Sequence, residues 1–143
     1  MIAAPRTHRL LADGSLELTI PGRPPTPNAR FGNKYAEASK IKTWREAARL
    51  IGIDAVNRTG WKAPAKARIT LTFIVPTHAG RDTDNLMAST KPLTDGLVDA
   101  KVLVGDKHQV LAWAAPQVEY VRGAAATRYL VEVVEPAHPV LGL

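Results

Sequence analysis

Apolar and polar residues alternate along Leu16-Glu17-Leu18-Thr19-Ile20, the pattern of a strand with one buried face. The same period of two runs through residues 67–75, ARITLTFIV. Ile69, Leu71, Phe73 and Val75 point to one side, Thr70 and Thr72 to the other. Residues 109–120 and 127–134 read as two further strands, and the turn at Arg122-Gly123 is expected to join them as a hairpin. Elsewhere the period lengthens. Ile41, Trp44, Ala48, Ile51 and Ala55 recur at spacings of three and four, which predicts a helix from a Ser39 cap to about Asn57. A second helical segment is expected from about Asn85 to Ala100, with Leu86, Leu93 and Leu97 on its apolar side. Pro92 lies within it, so a kink or restart near Lys91 is expected.

The order strand, helix, strand, helix, strand, strand predicts the α+β class: a single small domain with a mixed sheet of about four strands and two main helices. Pro21, Pro24, Pro25 and Pro27 forbid regular structure after the first strand, so an extended surface loop is expected there. The domain is placed over residues 15–135. Residues 1–14 are expected to form a loose N-terminus, and residues 136–143 a flexible tail.

A chain of 143 residues suits one domain, and 45% hydrophobic with 22% charged residues is an ordinary globular balance that needs no staples. The absence of cysteine excludes disulfides, thiolate zinc sites and thiol catalysis. No stretch is apolar enough to span a membrane, and the first residues lack a signal-peptide core. A cytoplasmic protein is therefore the expectation. The net charge of +6 favours polyanions such as nucleic acid, although many small basic proteins bind none. Lys42, Arg45 and Arg49 line the polar side of the first helix, either as a solvated face or as phosphate contacts.

The informative chemistry begins after the strand at 67–75. Asp82 and Asp84 stand two residues apart just past a strand end, so both carboxylates are expected to project into one space if the loop stays extended. Hard divalent cations such as magnesium take oxygen ligands of this kind. Aspartate is also an ordinary helix cap, which would explain Asp84 alone. Asp84, Ala88, Lys91 and Asp95 fall on one face of a regular helix, opposite the leucines. Asp106 follows in a turn before the next strand. A strand beside residues 67–75 would bring it towards the aspartate pair. Three carboxylates around a metal, with a lysine nearby, suit phosphodiester hydrolysis. His78 and His108 flank these segments and read as surface histidines.

These residues resemble the RusA family of Holliday junction resolvases. Asp82-Thr83-Asp84-Asn85-Leu86 matches the family's aspartate pair with Asn-Leu. Lys91 followed by Asp95-Gly96-Leu97 matches its lysine and helix end, and Asp106 with Gln109-Val110 matches its last acidic turn. Pro21-Gly22-Arg23-Pro24-Pro25, with Asn28 and Arg30, is similar to its proline-rich loop. The resemblance spans about residues 15–134. It implies that Asp82, Asp84 and Asp106 bind magnesium, with manganese as a substitute, and that Lys91 assists catalysis. It also implies a homodimer that cuts two strands of a four-way DNA junction, frequent in phages. Asn28, Arg30, Lys34, Arg45 and Arg81 are then expected to face the DNA, and Val118, Tyr120, Tyr129 and Leu130 to offer the dimer contact.

Three features depart from the family pattern. The segment from Asp84 to Lys91 is about three residues longer than the shortest family version. Gly105 replaces a frequent acidic residue, and one extra residue separates Asp106 from Gln109. Two other readings stay open: a basic DNA-binding module without catalysis, and a general metal-dependent nuclease or phosphoesterase. Neither a Gly-rich phosphate loop nor a nucleotide-base pocket is legible in the sequence to favour small-molecule substrates.

Overall fold

The computed structural model describes residues 7–24, 34–78 and 83–134. Six strands form one mixed sheet: β1 (His8–Leu10), β2 (Leu16–Pro21), β3 (Ala67–Val75), β4 (Leu111–Trp113), β5 (Gln117–Tyr120) and β6 (Ala126–Val133). The described helices are α1 (Lys34–Thr59), α2 (Thr83–Ser89) and α3 (Lys91–Asp99). The chain is a small single α+β domain, as the sequence pattern predicts. None of these helices is long and apolar enough to cross a membrane.

The strand period builds the core directly. Leu16, Leu18 and Ile20 of β2, Ile69, Leu71 and Phe73 of β3, and Tyr129 and Val131 of β6 are all buried together. Ala48 and Ala55 of α1 and Leu93 and Leu97 of α3 join the same cluster. Burying each large apolar side chain contributes roughly 1.5–3 kcal/mol, so this face holds the domain together.

Pairing departs from the expected hairpin. β6 is antiparallel to both β2 and β3 and lies between them, with Leu18 opposite Tyr129 and Ile69 opposite Val131. β4 and β5 run parallel to β3 on its other side, so β3 separates β5 from β6. The single strand expected over 109–120 is split. Trp113 pairs with Ile69 but Gln117 pairs with Thr72, so one extra residue is inserted on this side. Ala114 still donates to the Ile69 carbonyl at 2.9 Å, and Pro116 has no N–H to continue the ladder.

Two boundaries also move. Residues 8–10, expected within a loose N-terminus, form β1 and pair with β2 through His8 opposite Leu18. Helix α1 starts at Lys34, so Ser39 is not its cap. Ser39 lies inside the helix, where its carbonyl accepts a 2.9 Å bond from Thr43 Oγ1. Ile41, placed on the apolar stripe by its spacing, is 49% exposed; the buried face of α1 begins at Ala48.

Helices α1 and α3 meet through two glycines. A Cβ on Gly52 would stand 2.7 Å from the Ala100 Cβ, and one on Gly96 would collide with the Arg45 carbonyl oxygen. Lacking side chains there, the two backbones pack close enough to set the position of α3, and with it Lys91 and Asp95.

Candidate active site

The second helical segment breaks where the sequence predicts. The Pro92 ring occupies the first turn of α3 and carries no N–H for the preceding turn. Thr90 joins the two helices, and its backbone N–H and Oγ1 both donate to the Met87 carbonyl, at 3.1 and 2.7 Å. Asp84 and Lys91 therefore lie on different helices rather than on one regular face. Asp84 is exposed in the first turn of α2.

Tyr129 fixes this break from below. Its hydroxyl shares a 2.8 Å hydrogen bond with Thr94 Oγ1, and both groups are buried. Burial pushes the Tyr129 hydroxyl well above its ordinary value, so it stays protonated. Fully buried, Tyr129 belongs to the core and not to the dimer surface on which it was expected; Val118 and Tyr120 are exposed. Tyr129→Phe leaves the Thr94 hydroxyl without that partner. Its expected cost is about 1 kcal/mol, or a melting temperature lower by roughly 2–4 °C in thermal denaturation. An unchanged melting temperature would mean that this bond contributes nothing.

The segment after α3 places Asp106. Lys101 adopts φ 66° and lets the chain reverse. Val102 N–H then bonds the Leu97 carbonyl at 3.0 Å and Lys101 N–H the Val98 carbonyl at 3.0 Å, a Schellman closure of the helix. Val102 and Leu103 are buried, and Trp61 Nε1 donates to the Val102 carbonyl at 2.9 Å. A second turn follows, in which Val110 and Leu111 donate to the Lys107 carbonyl at 2.9 and 3.0 Å. Asp106 is held between these two anchored turns.

Lys91 joins the pieces. Its Nζ lies 2.6 Å from Asp106 Oδ2 and 2.9 Å from Asp95 Oδ1. The Asp95 contact follows from i,i+4 spacing on α3, whereas the Asp106 contact is tertiary. Hydrogen bonds to Asp106 and then Asp95 raise the Lys91 ammonium above its ordinary 10.5. The Lys91 hydrogen bond holds the Asp106 carboxyl below its ordinary 3.8. The lysine's contribution is present below 10.5 and fades as pH rises through its elevated value; the aspartate's is present above 3.8 and fades as pH falls through its depressed one. The contact is thus fully charged across the neutral range.

These groups open onto a cleft of about 540 Å³ lined by Met87, Ala88, Thr90, Lys91, Thr94, Asp106 and Trp113. Among the described residues no three histidine, aspartate or glutamate side chains converge as a metal-binding group. Asp82 and Arg81 lie outside the described residues, as do Asn28 and Arg30. Of the other basic residues expected at DNA, Lys34 is exposed at the start of α1. Arg45 is half-exposed and bridges the helix pair, with Nε 2.7 Å and Nη2 2.9 Å from the two oxygens of Asp99. Arg49 grips Glu46 in the same forked manner. His78 stacks on Tyr120 with ring centroids 3.8 Å apart, and His108 is exposed.

Trp113 escaped the sequence reading of the site. Its signal was its place on the alternation: with Leu111 it points to the helix side, at an edge strand that short helices leave half uncovered.

No family model matches the chain. A protein of Xylella fastidiosa (strain Temecula1 / ATCC 700964), described as an uncharacterized protein, is 35% identical over 92 residues, which cover 60% of this chain and 56% of that protein. The match spans little more than half the length of that relative.

Proposed function

We propose that this chain is a metal-dependent endodeoxyribonuclease of the RusA type, which hydrolyses phosphodiester bonds in branched DNA as a homodimer. The reading is carried by one contact. Lys91 and Asp106, singled out for the same chemistry and 15 residues apart, meet at 2.6 Å beside an open cleft. The donor chemistry fits a hard divalent cation. Asp95 and Asp106 already converge on one positive charge, the Lys91 ammonium, through carboxylate oxygens.

Magnesium, or manganese in its place, would be held by Asp82, Asp84 and Asp106. When bound it supplies polarisation of the phosphoryl oxygen and a more acidic water. The chain's own part is electrostatic. The Lys91 ammonium remains charged at neutral pH and offsets negative charge gathering on the phosphate or its leaving oxygen. Asp95 and Asp106 aim that ammonium. The net charge of +6 and the exposed Lys34 favour approach of a polyanion. A two-fold dimer supplies two sites for the two cuts that a four-way junction requires. A cytoplasmic location goes with such a substrate.

The alternative of a binding module without catalysis is favoured by the same contact read as an ordinary ion pair, of the exposed kind worth about 0–1 kcal/mol. Labelled four-way junction and plain duplex, each incubated with the protein with and without magnesium, separate the readings. Paired nicks confined to the junction and to magnesium are expected. Equal cutting of duplex leaves a general nuclease, and binding without any cutting leaves the module.

Lys91→Ala refines the assignment. The single-turnover rate should fall on the order of 100-fold, the scale of losing one transition-state charge partner, with little change in affinity. Lost affinity at an unchanged rate would make Lys91 a phosphate anchor only.

A further inference from the structure

Three tryptophans occur in the chain, and the structure treats them differently. Trp61 is buried at 8% exposure with its Nε1 bonded, and Trp44 packs half-buried against the core. Trp113 keeps 40% of its surface open to solvent. It stands at the end of β4 on the helix-facing side, next to the break between α2 and α3. There Trp113, Met87 and Ala88 make the apolar wall of the cleft, with Lys91 and Asp106 at its polar rim. A volume of about 540 Å³ lies within the roughly 300–1,000 Å³ of pockets that take small organic groups.

We infer that this cleft takes an unpaired nucleobase stacked on Trp113. The inference rests on the reading of the chain as a protein that acts on DNA. Wall and rim take different parts of a nucleotide. At the rim the Lys91 ammonium and the Asp106 carboxylate offset each other, so the apolar wall is left for an uncharged group. A base is neutral and presents a flat π face to the indole, while Lys91 and Asp106 at the rim stay with the phosphate and cation of the proposed reaction. An aliphatic side chain from a protein partner would cover the apolar wall and leave those rim groups unmatched. A base inside duplex DNA already has both faces stacked, and extracting it costs a few kcal/mol. Unpaired bases escape that cost, and a base at an open branch point, stacked on one side only, pays less of it. Trp113 thereby makes branched DNA the preferred substrate without reading its sequence.

The test uses a short single strand carrying 2-aminopurine, alone and annealed to its complement, with the full-length protein. Stacking on Trp113 should quench the emission of the single strand severalfold and leave the annealed probe unchanged. Trp113→Ala should abolish that quench and weaken single-strand binding roughly 5- to 100-fold, the range for losing one base–aromatic stack, with duplex affinity within about twofold. Trp113→Phe should keep most of both, which separates stacking from damage to β4. A full quench in Trp113→Ala, or equal losses on single strand and duplex, overturns the inference. The readout is independent of hydrolysis. Trp113-dependent quenching without magnesium-dependent junction cutting would sink the nuclease reading and leave the stacking site standing; cutting without that quenching would do the reverse.

Discussion

Asp106→Asn is expected to remove magnesium-dependent cleavage of a four-way junction, slowing it on the order of 100-fold or more, while the protein stays folded. A carboxylate proposed to hold the cation, and 2.6 Å from Lys91, would serve the charge-stabilising part of the reaction, where losing one group costs about 100- to 1,000-fold. The same pair is open to solvent, with Lys91 64% and Asp106 41% exposed, so its loss costs the fold about 0–1 kcal/mol at most. Lys91 also retains Asp95. Asp84→Asn and Asp82→Asn are expected to behave alike. Junction affinity should hold or improve, because a negative charge near phosphate is gone. Single-turnover cleavage set beside melting temperature and junction affinity checks this. Wild-type cleavage by the folded Asp106→Asn protein removes Asp106 from the mechanism.

Gly96→Val should have the largest effect on stability. The Cβ alone would overlap the Arg45 carbonyl oxygen and approach the Ala48 Cβ to 2.9 Å and the Arg49 nitrogen to 3.0 Å. Two of these three atoms are backbone of α1, which cannot rotate out of the way. The helices must therefore separate, opening the contacts of Leu93 and Leu97 with the core. Overpacking of this kind costs about 1–3 kcal/mol, which corresponds to a melting temperature lower by roughly 3–10 °C. Activity should fall beyond what unfolding explains, since α3 carries Lys91 and Asp95. Thermal denaturation that matches the wild type would show that the helices do not approach so closely.

What was legible in the chain is what short-range periodicity controls. The alternation in ARITLTFIV marks the ends of β3 at Ala67 and Val75, and Pro92 marks the break before α3. Periodicity tells which face a residue takes but not which strand lies alongside, so the insertion of β6 between β2 and β3 could not be read from it. The start of α1 was missed for a related reason. Residues 34–38 are mostly good helix formers, but none of them is buried, so no apolar stripe announces them. Tyr129 misled through its chemistry. A tyrosine suggests a wet surface, yet its register with Leu18 and Leu71 turns it inward, where Thr94 satisfies the hydroxyl. Within the site, Lys91 and Asp95 were linked by helical spacing alone. Their junction with Asp106 depends on the positive φ at Lys101 and the burial of Val102, which no local pattern displays.

The place of β6 has a temporal consequence. A ribosome delivers β2 and β3 well before β6, yet the two strands have no ladder in common: each pairs with β6 and not with the other. Until residues 126–133 emerge, the inner edges of β2 and β3 lack backbone partners, and Ile20 and Phe73 have no Thr127 between them. The helix pair, whose contacts are nearer in sequence, can assemble earlier. Closure of the sheet waits for the last strand, because long loops must be ordered before their contacts offset the entropy. The nascent chain therefore carries these open edges until residues 126–133 are made, and this is the interval in which it is most exposed to wrong pairing.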